Sequence, residues 1–139
     1  MAITVLTDAH IIINGVTLSS KAKSVTTEDS REAVDITAFG ATSKTVAKGL
    51  GDAKMTVEFY QDMAAAQVHA TLQPLISSTT PVTVEARQTS AARSATNPAY
   101  VLSALLMEYS MLDGAVGEAS TITAEFINGS QTGVQYLIA

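Results

Sequence analysis

The stretch Arg31–Asp62, REAVDITAFGATSKTVAKGLGDAKMTVEFYQD, decides how this chain is read. Val34 and Ile36 alternate with Asp35 and Thr37; later Met55, Val57 and Phe59 alternate with Lys54, Thr56, Glu58 and Tyr60. Successive side chains of a strand point to opposite faces, so this pattern predicts two strands that each bury one face. Between them residues 38–51 form a long expected loop with three glycines, Lys44, Lys48 and no acid. A loop of this length inside a compact domain is functional or disordered. It holds no catalytic group, which points to assembly rather than chemistry.

Upstream, Ile11–Leu18 reads IIINGVTL, two short apolar runs around Asn14-Gly15. Asn-Gly favours a type I′ hairpin turn, because both central positions need positive φ. A strand is expected through Ala22 to Thr27, after which Glu28, Asp29 and Ser30 turn the chain into the Arg31–Thr37 strand. Downstream, Asp62 can cap a helix over about 62–73, with Ala65, Val68, Leu72 and Ile76 as its apolar stripe. Pro74 is expected to end it.

Beyond the helix, PVTVEARQ at 81–88 alternates cleanly, and residues 89–98 are a polar loop. Tyr100–Leu112 reads as a long strand, Asp113-Gly114 as a turn, Ser120–Ile127 as another strand and Val134–Ile138 as the last. The expected architecture is mainly β: one domain over 1–139, an antiparallel β-sandwich or barrel with one flanking α-helix.

Composition narrows the function. Hydrophobic residues make up 47% of the 139, but aromatics only 5%, which weakens any site built on stacked bases. A net charge of −5 lacks the basic face that nucleic-acid binding needs. With no cysteine, disulfides, thiolate zinc sites and thiol nucleophiles are excluded. The first thirteen residues lack the basic start and apolar run of a signal peptide, and no run approaches a bilayer span. A soluble protein made in a cytoplasm, without membrane anchoring, is the expectation.

No motif supports catalysis. His10 and His69 lack partners at metal-site or nucleophile spacing and are read as structural or solvent-facing. Gly49-Leu50-Gly51 precedes a strand and has no Gly-Lys-Ser/Thr, so it is no phosphate cradle. Glu28 and Asp29 fit a hydrophilic turn. No catalytic, cofactor-binding or metal residue and no small-molecule substrate is expected. Glu58, Glu85 and Glu125 stand out, because each projects from the polar face of a different strand. On a monomer these faces are solvated; lining a channel, their carboxylates would set its potential.

Three stretches then resemble the major tail tube proteins of long-tailed, siphovirus-like bacteriophages: VDITAFG at 34–40, KGLGDAKMTVEFYQD at 48–62 and NPAYVLSALLMEYSMLDGAVGEASTITAEFING at 97–129. The resemblance runs from about Ile11 to the C-terminus. It implies homo-hexameric rings whose sheets join into one continuous β-barrel, stacked into a virion tail tube. The implied partners are the tape-measure, tail-tip and terminator proteins, with DNA crossing the lumen without specific binding. The implied place is the virion tail, assembled in the host cytoplasm.

In that family the long loop reaches an adjacent ring or subunit, so Lys44, Val46, Lys48 and Leu50 are the candidate contact residues. Their expected acidic partner is the segment Glu28–Asp35 across a ring or subunit contact. Glu58, Glu85 and Glu125 are the candidate lumen acids: six subunits at −5 each carry −30 per ring. Competing readings are a capsid-decoration or tail-terminator protein and, from another class, a small-ligand-binding β-barrel. The barrel would need a concave apolar pocket with convergent polar groups.

Overall fold

The structure, a computed structural model, describes Ile3 and residues 5–138; the expected domain bounds at Met1 and Ala139 lie outside the described residues. Eight strands and one α-helix follow in the order β1 (His10–Ile13), β2 (Val16–Thr17), β3 (Ala22–Asp35), β4 (Val46–Tyr60), α1 (Val68–Ile76), β5 (Val82–Arg87), β6 (Ala99–Tyr109), β7 (Thr121–Asn128) and β8 (Gln135–Leu137). Asn14 and Gly15 sit at φ 50° and 81°, the left-handed pair a type I′ turn requires.

All pairings are antiparallel, and the sheet runs β2-β1-β5-β6-β7-β4-β3, with β8 on β6 beyond the end of β7. The sheet rolls upon itself. Val25 and Thr27 of β3, at one end of the order, line a cavity of about 170 Å³ together with Ala86 and Tyr100 from its middle. The expectation of an antiparallel, mainly β domain with a flanking helix is met.

The core lies inside the roll. Phe59, Met55 and Val57 of β4 meet Phe126, Ala124 and Ile122 of β7, with Leu102, Ala104 and Leu106 of β6 and Ile11 and Ile13 of β1. Helix α1 adds Val68, Leu72 and Leu75, one stripe at helical spacing. Each large side chain fully buried this way contributes about 1.5–3 kcal/mol.

The helix starts later than its cap signal. Asp62 does not cap the helix: it accepts from the Ala64 amide at 2.9 Å in a turn that ends at Ala66, φ 59°, and the helix's own N-cap is Gln67, with no side-chain cap. The helix then begins at Val68 and runs past Pro74 to Ile76, because Leu75 reaches the core. Buried Tyr109 fastens it: its hydroxyl lies 2.8 Å from His69 Nδ1 and accepts from Gln61 Nε2 at 3.0 Å. His69 is thus structural, a tie between α1 and the end of β6.

Glu28, Asp29 and Ser30 do not turn the chain. They pair in register with Lys54, Ala53 and Asp52, so β3 runs unbroken from Ala22 to Asp35. Their polar composition marks exposure on both faces, not a turn.

Candidate functional site

The feature that stands apart from the core is a two-stranded arm. The last pairing of β4 with β7 is Lys54 with Ile127; beyond it β3 and β4 pair only with each other, down to Asp35 with Val46. Glu28–Asp35 thus extends about 25 Å past the sheet at 3.3 Å per residue. No residue of β3 is buried, and Ala53 is the last buried residue of β4 towards the tip.

The predicted loop 38–51 is therefore shorter. The chain turns over residues 36–45, and Val46, Lys48 and Leu50 belong to strand β4; only Lys44 lies in the turn. Thr37 shapes the tip: its amide donates to Asp35 Oδ1 at 2.9 Å, and its hydroxyl oxygen accepts from the Thr45 amide at 2.8 Å. Hydrogen bonding from Thr37, its amide first and its hydroxyl second, holds the Asp35 carboxyl below the usual carboxylate range. Its contribution is present at neutral pH and fades as pH falls through that lowered value.

Gly49-Leu50-Gly51 is a bulge: Arg31 faces Gly51 and Ala33 faces Lys48, so β4 carries one extra residue. Neighbouring side chains approach both glycines closely, Val34 at one and the movable end of Arg31 at the other. A Cβ at 49 would stand 3.0 Å from Val34 Cγ2, and one at 51 would stand 2.7 Å from the Arg31 guanidinium.

The arm exposes apolar side chains: Val34, Ile36, Phe39, Val46 and Leu50, with Phe39 fully exposed. Two of its acids find ion-pair partners within the hairpin, Asp29 with Arg31 and Glu28 with Lys54 at 3.7 Å; Glu32 has none among the described residues. The acidic segment Glu28–Asp35 is the sister strand of residues 46–54, so within one chain it already lies beside Val46 and Lys48.

A second surface is the outward face of β3, β4, β7 and β6. Register places Thr26, Thr56, Glu125 and Glu108 in one row, and Ser24, Glu58 and Thr123 in the next. Glu58 and Glu125 thus share a polar face, and Glu58 has Lys23 at 3.4 Å. Glu108, directly opposite Glu125, was not legible in the sequence. A bulge at Met107 shifts the parity of β6, turning Glu108 outward and Tyr109 into the core. Like charges directly opposed on a sheet are unfavourable, and neither Glu108 nor Glu125 has a cation partner among the described residues, whereas Glu28 and Glu58 on the same face are paired with Lys54 and Lys23.

Glu85 does not join them. It is buried at 7% exposure beneath residues 88–98, with Arg93 Nε at 3.0 Å and Arg87 Nε at 3.5 Å. The sequence pattern shows its strand face but not the loop that covers it. Glu85→Gln leaves the guanidinium groups of Arg87 and Arg93, 13% and 32% exposed, facing a neutral amide. The expected result is a lowered urea midpoint at unchanged slope.

The third surface is the end opposite the arm tip. Residues 110–119 join β6 to β7 there, held by Gln61, whose Nε2 donates to the Met111 carbonyl at 2.6 Å. Met63, Met111, Leu112 and Val116 are exposed around it. A cavity of about 630 Å³ between residues 6–11 and 19–25 has no aromatic lining and two charged groups, Asp8 and Lys23.

No family model and no curated protein matches the chain by sequence. Solved structures do match by shape. The chain superposes on the SPP1 tail tube protein with a TM-score of 0.76 at 10% identity, over 99% of this chain and 80% of that one. The fold is the tail tube fold. A chain in the virion of a native gene transfer agent particle has a TM-score of 0.73 at 7% identity, covering 93% and 95% of the two chains. The tail of an empty gene transfer agent particle, solved with C6 symmetry, gives 0.65 at 7% identity over 84% and 81%. At these identities the tail tube fold is held by patterning and core volume, not by particular residues.

Proposed function

We propose that the chain is a tail tube subunit of a phage or phage-like particle, a structural and non-catalytic virion protein. It assembles as homo-hexameric rings that stack into a tube around the tape-measure protein, bounded by tail-tip and terminator proteins. The observation that carries this reading is the likeness to the SPP1 tail tube over 99% of the chain. The C6 symmetry of a matching tail supports six subunits per ring.

The outward polar face suits the lumen wall. There Glu58, Glu108 and Glu125 repel phosphates that approach within about a Debye length, 8 Å at physiological salt, so DNA slides without sticking. Glu85, buried and paired, takes no part. Joining the free edge of β3 to a neighbouring subunit would close the sheet into a ring and remove an exposed edge.

Electron microscopy of the concentrated protein tests the reading. Hollow tubes or stacked six-fold rings are the expected result. Discrete trimers or single rings would move the assignment to a decoration or terminator protein, and monomers with a bound small molecule to a ligand-binding barrel.

A further inference from the structure

We propose that residues 5–9 are a strap that covers the seam of the roll in the unassembled chain and swings away before a second copy joins the free edge of β3. The inference rests on the tail tube reading and adds a control over the assembly which that reading describes. Residues 5–9 run on from the start of β1 across the mouth of the roll. Leu6 and Ala9 line both cavities there, facing Ala22 and Val25 of β3 in one and Val25 and Thr27 in the other. Among the described residues β3 pairs with β4 alone, so its far edge is open. A strand added to that edge lies about 4.8 Å from β3. It enters the space between β3 and the strap, and its inward side chains take the place of Leu6 and Ala9.

The strap is fastened at one point. The first rung of β1 is His10 opposite Arg87. Before it, among the described residues, the segment's hydrogen bonds are those the Asp8 carboxylate accepts from Ser90, 2.8 Å from its Oγ and 3.2 Å from its amide. Ile3, Val5 and Leu6 are all more than half exposed, so this clasp, not apolar burial, holds the segment. The receiving half of the clasp is fixed. Buried Asn97 donates to the Ala91 carbonyl at 2.9 Å and accepts from the Thr89 amide at 3.2 Å, on either side of Ser90. Release of Asp8 therefore frees the strap and leaves loop 88–98 and the core as they are. A chain that joins only with its strap open binds in proportion to the open fraction.

The native chain has no cysteine, so D8C/S90C carries its only two thiols where Asp8 and Ser90 now touch. Oxidised in dilute solution, this variant is expected to be locked shut and to form no tubes. Reduced, it is expected to assemble at least as readily as the parent. Oxidised protein that grows tubes at the concentration the reduced protein needs would overturn the proposal.

Opening the clasp without a crosslink supplies the second readout. Asp8→Ala is expected to lower the critical concentration for tube growth about threefold and to shorten the lag before growth. Asp8→Asn, which keeps a side-chain oxygen for the Ser90 donors, is expected to stay near the parental value. An unchanged or raised critical concentration in Asp8→Ala would show that the strap does not oppose assembly, and would sink it while leaving the tail tube reading intact. Failure of the parent chain to form any tube would sink that reading itself, and the strap with it.

Discussion

Phe126→Ala is expected to cost about 3–5 kcal/mol, which for a domain stabilised by about 5–15 kcal/mol leaves a folded state near its limit. Phe126 has no exposed surface and sits on β7, with Met55 of β4 and Leu106 of β6 opposite it in register. Those strands fill their neighbours' space with Val57, Ala124, Ala104 and Ile122, side chains too short to reach into the void a deleted phenyl leaves. The cavity stays open, and its cost adds to the lost transfer free energy. A urea titration of the unassembled chain should show the midpoint falling at constant slope. Phe39→Ala, the same change on a fully exposed side chain, should leave the midpoint within about 0.5 kcal/mol. If Phe126→Ala behaved like Phe39→Ala, the inside of the roll has been misassigned.

What the sequence made legible follows from which forces are local. The 82–87 strand and the Asn14-Gly15 turn are set by alternation and by backbone φ, and both stand where the pattern puts them. The core half of β4 announces itself because Met55, Val57 and Phe59 bury one face of a half-polar strand. The arm does so only in part. The alternation around Val34 marks the strand from Arg31, but not that both its faces meet solvent, and at Glu28–Ser30 the charged residues mimic a turn where β3 runs straight through. Its pairing is decided by β4, a partner more than ten residues away.

Bulges hid more. One extra residue at Met107 reverses which side chains of β6 point outward, and no count of apolar residues shows where such a residue falls. The candidate surfaces split the same way. Alternation places Glu58 and Glu125 on the polar faces of their own strands, and register brings those faces together, whereas the burial of Glu85 depends on residues 88–98 folding over it. Lys44 lies in the turn as expected, but Lys48 and Leu50 moved onto a strand because Asp35 and Val46 pair directly.

That pairing makes the arm separable from the fold. Asp35 and Val46 are opposite one another, so replacing residues 36–45 with Asn-Gly closes the hairpin by a two-residue type I′ turn without moving either strand. No core residue is touched, since the whole turn and all of β3 lie outside the buried set. The unassembled variant is expected to keep its urea midpoint within about 0.5 kcal/mol of the parent. Assembly should respond very differently. The deletion removes Ile36, Phe39 and Lys44 together, and a few anchoring side chains carry most of an interface's free energy. Loss of about 3 kcal/mol per contact would raise the critical concentration more than a hundredfold, because each 1.4 kcal/mol is a factor of ten. Sedimentation of tubes across a concentration series measures this directly. Growth at the parental concentration would show that the arm is not an assembly element. A lowered midpoint in the unassembled chain would instead show that the tip supports the fold, and any loss of tubes would then carry no weight as evidence of a contact.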